Sequence, residues 1–162
     1  MFSISLKIID WLKKQIQISD RVKNPPHIHE REIWWCHVGY NIGYEEMGKG
    51  EHFQRPVLIL KKFNNNLFMG ILLSSKLKEY NKYYKKITFD NKEISAMISQ
   101  TRTMDSKRLI EKMGTLDQKY FETVKLSFLS MFAESKITSE KVQMFSPPPC
   151  GGGVLGLMSI CK

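Results

Sequence analysis

The sequence is poor in the residues that build disulfide staples, membrane spans and secretion signals. Its 162 residues include three cysteines, Cys36, Cys150 and Cys161. They form neither a CxxC pair nor an even set, which argues against a disulfide framework. A reducing, cytoplasmic setting is the simpler reading. No apolar run reaches the roughly 20 residues of a membrane span. The N-terminal apolar stretch is interrupted by Lys7 and Asp10 and lacks a small-residue cleavage site, so no signal peptide is expected. Acidic residues are also scarce: 16 Asp and Glu stand against 25 Lys and Arg, a formal net charge of +9. Such an excess favours a polyanionic partner, because each phosphate neutralised by Lys or Arg releases a counterion. Hydrophobic residues make up 42% of the chain, enough for one small core.

The sequence is organised around residues 31–60. Two β-rich apolar runs, at 33–38 and 57–60, bracket a long loop. The loop carries Gly39, Gly43, Gly48 and Gly50 with Glu45, Glu46 and Glu51 between them. It is too long for a simple hairpin turn, and loops of that length inside a domain are usually functional or disordered.

Around this stretch the elements read in order. Residues 5–18 form a helix, with Ile8, Ile9, Leu12 and Ile16 as an apolar stripe that docks on the core; a basic membrane-surface helix is the minor alternative. Asn24-Pro25-Pro26 ends the segment. Strands follow at 33–38, 56–63 and 67–74, with Trp34 and Trp35 on opposite faces and Asn64 to Asn66 as a turn. Residues 83–90 alternate as a strand, Asp90-Asn91 turns, and 94–100 is another strand. Residues 108–113 form a short strand or helical turn. Asp117 caps a last helix whose apolar face is Phe121, Val124, Phe128 and Phe132. Short strands closed by a terminal helix make an α+β chain built on a small, partly open barrel. The Pro- and Gly-rich stretch from Ser146 to Gly153 is low in complexity, and residues 135–162 read as a disordered tail.

Five segments together carry a resemblance. Arg31-Glu32-Ile33-Trp34 opens the first strand, Gly43-Tyr44-Glu45-Glu46 lies in the loop, and Arg55-Pro56-Val57-Leu58-Ile59 opens the second strand. Leu72-Leu73-Ser74-Ser75-Lys76 ends the third. Ser99-Gln100-Thr101-Arg102-Thr103-Met104-Asp105 is followed by Lys107-Arg108-Leu109. In this order and spacing, over about residues 31–133, they resemble the MazF/PemK-type toxins. The resemblance implies an SH3-like β-barrel with a C-terminal helix as a toxin domain over 31–134, preceded by an N-terminal helical extension over 1–30.

The resemblance also implies function: the toxin of a type II toxin–antitoxin system, a homodimeric endoribonuclease that cuts single-stranded mRNA without metal or cofactor. Its cognate antitoxin would lay a flexible peptide across the RNA groove. RNA carries its own nucleophile, the 2′-OH, so the enzyme must align the phosphate, stabilise charge and move protons. Arg55 matches the family's catalytic arginine; a guanidinium is always charged and grips two phosphate oxygens at once. Ser74 stands where the family has a catalytic threonine, with the hydroxyl kept. Glu45 is the candidate general base, with His52 a nearby alternative. Ser75, Glu46, Lys76, Gln100 and His52 are the expected RNA-binding residues. Lys78 and Lys82, interleaved with Tyr80, Tyr83 and Tyr84, suit a single strand. Tyr44 and Ser99 replace a histidine and an acid that some members use. Arg102 and Asp105 read as a charged pair fixing a turn. The spacing of His27, His29, Cys36 and His37 matches no standard zinc site, and no metal or membrane partner is expected. A non-catalytic barrel binding RNA or peptide, and a gyrase-targeting toxin, are the rival readings.

Overall fold

A computed structural model describes residues 4–21, 26–77 and 81–133. The tail from 134 onward, with Cys150, Cys161 and the Pro- and Gly-rich stretch, lies outside the described residues, as do Lys78 and Tyr80. The elements in chain order are α1 (Ile4–Ser19), β1 (Glu32–His37), β2 (Gln54–Lys62), β3 (Leu67–Ser74), β4 (Tyr84–Phe89), β5 (Lys92–Asp105), one 3₁₀ turn (Ser106–Arg108), β6 (Leu109–Thr115) and α2 (Gln118–Ala133).

The six strands form one antiparallel sheet in the order β4-β5-β3-β2-β1-β6. Turn chemistry sets its registers. Asp90 and Asn91 both take positive φ, 50° and 56°, as a two-residue hairpin between Phe89 and Lys92 requires. Asn64 Oδ1 accepts from the amides of Asn66 and Leu67 at 2.8 Å and closes the β2–β3 turn. Strand alternation then sorts the apolar side chains into two clusters on opposite faces. Trp34, Cys36, Val57, Ile59, Leu72, Met97 and Leu109 lie on one face, where Ile28 joins them. Ile33, Leu58, Ile71, Leu73, Ala96 and Ile98 lie on the other, covered by Phe121 and Val124 of α2. Trp34 and Trp35 point to opposite faces, as alternation requires.

The sheet is curled but not closed. The edge strands β4 and β6 share no ladder. The Phe89 ring of β4 does reach β6: a Cβ added to Gly114 would stand 2.9 Å from it. The α+β class stands, whereas a closed barrel does not form.

The segment read as a short strand or helical turn is the strand β6, entered through the 3₁₀ turn. Two expectations are corrected. Asp105 does not pair with Arg102; its Oδ1 accepts from Lys107 N at 2.7 Å and caps the 3₁₀ turn. The apolar stripe of α1 does not dock on the core. Ile8, Leu12 and Ile16 remain 50%, 56% and 54% exposed. Trp11 and Ile18 make the contact instead: Ile18 is buried, and Trp11 packs edge to face on Phe53 with ring centroids 5.5 Å apart. Arg108 stands 5.6 Å over the Trp11 ring, and Lys107 Nζ donates to Ser19 O at 2.9 Å. Helical spacing names residues that share a face; which face docks was decided by the bulk of Trp11 opposite Gly39.

Candidate active site

The loop between β1 and β2 is ordered by its own backbone. Val38 N and Gly39 N donate to Phe53 O at 2.9 and 3.3 Å, and Gly48 N donates to Gly39 O at 2.8 Å. Lys49 and Gln54 exchange two bonds of 2.8 and 3.0 Å that lead the chain into β2. Gly48 is required by this path, because a Cβ there would fall 1.9 Å from the Phe53 carbonyl oxygen.

Arg55 follows at once and is 6% exposed, not a solvated arginine. Its Nε donates to Met47 O at 2.9 Å, and its Nη2 donates to Glu46 Oε2 at 2.6 Å. A buried guanidinium needs such partners, since an unpaired charge in a dry site is costly. Among the described residues, Nη1 and Glu46 Oε1 have no hydrogen-bond partner, so each side of the pair keeps one free end.

A bulge on β5 secures this arrangement. The β3–β5 register jumps from Ile71↔Thr101 to Leu72↔Met97, which leaves residues 98–100 unpaired with β3. Thr101 Oγ1 donates to Ile98 O at 2.7 Å within the bulge. Gln100 projects from it onto the loop: its Oε1 accepts from Glu46 N at 3.1 Å, and its Nε2 donates to Tyr44 O at 3.3 Å. Asn41 Nδ2 donates to Glu46 O at 2.7 Å. Glu46 is therefore held at both its N–H and its C=O.

Ser74 ends β3. Continuing the Val57↔Leu72 register two residues further sets Ser74 opposite Arg55. Its Oγ accepts from Lys76 N at 3.1 Å, which leaves the hydroxyl proton to point elsewhere. Arg55, Ser74 and Ser75 border one cavity of about 490 Å³, together with Ile33, Trp35 and Leu73, on the sheet face opposite the one that Arg55 shares with Cys36 and Val57, and Glu46 is not among its lining residues. Lys76 is exposed beside it.

Other expected residues stand apart. Glu45 is exposed, and its carboxylate lies 3.5 Å from Ile42 N. His52 is exposed and is not among the residues lining the cavity. Lys82 lies 5.2 Å over the Tyr83 ring. Of the residues weighed against a zinc site, His29 Nδ1 bonds Glu32 Oε1 at 3.2 Å, and burial pushes the Cys36 thiol up to about 12. Burial also lowers the pKa of the His37 imidazole. Its Nδ1 lies 2.8 Å from His52 O, so the proton sits on Nδ1, and Nε2 faces the Arg21 guanidinium at 3.4 Å. Trp35, Gln54 and Lys92, which the sequence reading did not single out, border the cavity.

A buried guanidinium with a carboxylate on one end and a hydroxyl opposite it across the β2–β3 ladder suits a phosphodiester. No curated relative matches the chain by sequence. Solved structures match the fold. MazF from Deinococcus radiodurans is 18% identical with a TM-score of 0.55, over 68% of this chain and 99% of that one. A mycobacterial endoribonuclease in complex with its cognate antitoxin is 10% identical with a TM-score of 0.50, over 67% and 95%. MazE–MazF from Deinococcus radiodurans is 15% identical with a TM-score of 0.50, over 68% and 97%. A family model for the PemK-like, MazF-like toxin of type II toxin–antitoxin systems matches residues 29–132, well over half of the sequence, and the chain belongs to that family.

Proposed function

We propose that the chain is an endoribonuclease toxin that cuts single-stranded mRNA at the Arg55 site, with no metal in the reaction. The observation that carries this reading is the buried Arg55 guanidinium, held by Glu46 and Met47 O with Nη1 left over, with Ser74 opposite it across the β2–β3 ladder. Glu46 replaces Glu45 as the general base, because its carboxylate sits on Arg55 whereas Glu45 faces Ile42. The 2′-OH passes its proton to Glu46 Oε1 as its oxygen attacks the adjacent phosphorus. The bond to the 5′-oxygen breaks, and that oxygen takes a proton from solvent. The products are a 2′,3′-cyclic phosphate and a 5′-OH. Arg55 Nη1 and the Ser74 hydroxyl donate to the non-bridging oxygens, where charge develops. Ser75, Lys76 and Lys92 hold the strand.

In this reading residues 31–134 are the toxin domain, the active form is a homodimer, and an antitoxin peptide covers the groove. The solved mycobacterial complex of the same fold supports such a partner. The test is cleavage of a long single-stranded RNA in EDTA with fragment ends mapped. Discrete cuts with 5′-OH ends are expected, slowed by about 10²–10³ in Arg55→Ala and in Glu46→Gln, the usual effect of removing one preorganised transition-state group. Intact RNA, or equal cleavage by Arg55→Ala, overturns the assignment.

A further inference from the structure

A second cavity lies on the other side of the same loop, and α1 forms its wall. It is larger, about 700 Å³, and both cavities reach Gly50. Lys7 and Asp10 come from α1; Tyr40, Gly48, Glu51 and Phe53 come from the loop. Met47 also lines it, and the carbonyl of Met47 holds Arg55. The family match covers residues 29–132, so α1 lies outside it.

The lining has the chemistry of a nucleotide. Tyr40 and Phe53 lie edge to face with centroids 6.5 Å apart, and both border the space. A base stacks on such a ring whatever its sequence. Lys7 is exposed and has no ion-pair partner among the described residues, so its ammonium is available to a phosphate. Asp10 and Glu51 are acceptors, and among the described residues Asp10 is engaged by Lys13 alone, at 3.9 Å on the surface. Carboxylates at a base edge accept from exocyclic amines and repel a base that offers only carbonyls. The volume sits within the range of about 300–1,000 Å³ typical of small-ligand sites.

The wall is fixed in place. Trp11 packs against Phe53 and Gly39, and Lys107 and Arg21 tie the C-terminal end of α1 to the 3₁₀ turn. Phe53, at φ 52°, is the residue two before Arg55, so the second cavity and the guanidinium are set by one stretch of backbone.

We propose that this cavity is an accessory RNA subsite: it takes one nucleotide flanking the cut, with its base on Tyr40, its phosphate at Lys7, and a preference for an amino-bearing base set by Asp10 and Glu51. The inference rests on the ribonuclease reading and deepens it.

The test uses the full chain, with Lys7→Gln, Tyr40→Leu and the ring-keeping control Tyr40→Phe. Cut sites are mapped on a long RNA of mixed sequence. Binding of a labelled single-stranded RNA oligonucleotide is measured in parallel in the Arg55→Ala background. Expected are relaxed base preference at one position beside the cut in Tyr40→Leu, and roughly tenfold weaker oligonucleotide binding in both Lys7→Gln and Tyr40→Leu. Tyr40→Phe should keep both properties. Unchanged preference at every flanking position together with unchanged binding overturns the subsite. If the wild type leaves RNA intact, the ribonuclease reading fails by that result alone, and the oligonucleotide affinities still decide the subsite. Lys7→Gln alters an exposed side chain, so a fold defect in Tyr40→Leu does not remove the test.

Discussion

Glu32 offers a stability prediction that can be worked from geometry. Its carboxylate is 5% exposed, and burial alone would raise its pKa. Four donors outweigh that. Oε1 accepts from Lys112 Nζ at 2.7 Å and faces His29 Nδ1 at 3.2 Å, and Oε2 accepts from Trp34 Nε1 at 2.9 Å and His29 N at 3.1 Å. They hold the group at about 2, against 4.5 for the free side chain. A depressed carboxylate stabilises the fold above the unfolded pKa, and this contribution is lost as pH falls through the folded one. At about 1.4 kcal/mol per unit, the full contribution is about 3 kcal/mol. Linkage places about 1 kcal/mol of the loss by pH 4 and about 2 kcal/mol by pH 3. Other carboxylates titrate in the same range, so the quantity to measure is the gap between wild type and Glu32→Gln. Urea unfolding followed by tryptophan fluorescence at pH 7, 4 and 3 gives that gap. It should be largest at pH 7 and shrink by about 2 kcal/mol at pH 3. A gap that does not change with pH would refute the reasoning, because Glu32 would then titrate alike in both states.

Further outcomes follow from the same contacts. Gly39→Ala should cost about 1–3 kcal/mol in unfolding experiments, since φ is 102° and the new Cβ would meet the Trp11 ring at 2.6 Å. In a Trp11→Ala background the clash disappears and the added cost should be smaller, so a double-mutant cycle reads the contact. Burial pushes the Cys36 thiol up to about 12, so it stays protonated at pH 8. Peptide mapping after brief alkylation should find Cys36 unmodified until denaturant is added. His37 is kept neutral by burial, its pKa below the ordinary 6.5. The unfolded chain therefore binds the extra proton below that value, and stability should fall as pH drops. His37→Gln should flatten this slope in the pH range just below 6.5.

Much of the fold was legible because it is local. Alternation placed the strands and sorted Trp34 from Trp35, and Asp90-Asn91 and the Asn64 turn announced their hairpins. The Arg31-Glu32-Ile33-Trp34 segment, read in the sequence only as part of the family resemblance, acts in the structure as support. Arg31 Nε and Nη2 both donate to Leu116 O, at 3.0 and 2.9 Å, and Glu32 ties β1 to Lys112 of β6. The site was legible only as a set of residue types. Glu45 and Glu46 are neighbours with the same chemistry, and nothing in their order says which one meets Arg55. The loop path, set by Gly48, Asn41 and the β5 bulge behind Gln100, makes that choice.

The sequence by itself determined the local periods, the turns and the family motifs, because these depend on backbone preference and on residue order. Tertiary structure alone decided which face of α1 docks, which glutamate reaches the buried guanidinium, and that the sheet curls enough to bring Phe89 to Gly114. Each of these depends on how bulky and small side chains fit together across long sequence distances, as Trp11 does with Gly39, and complementarity of that kind is not written in the spacing of either partner.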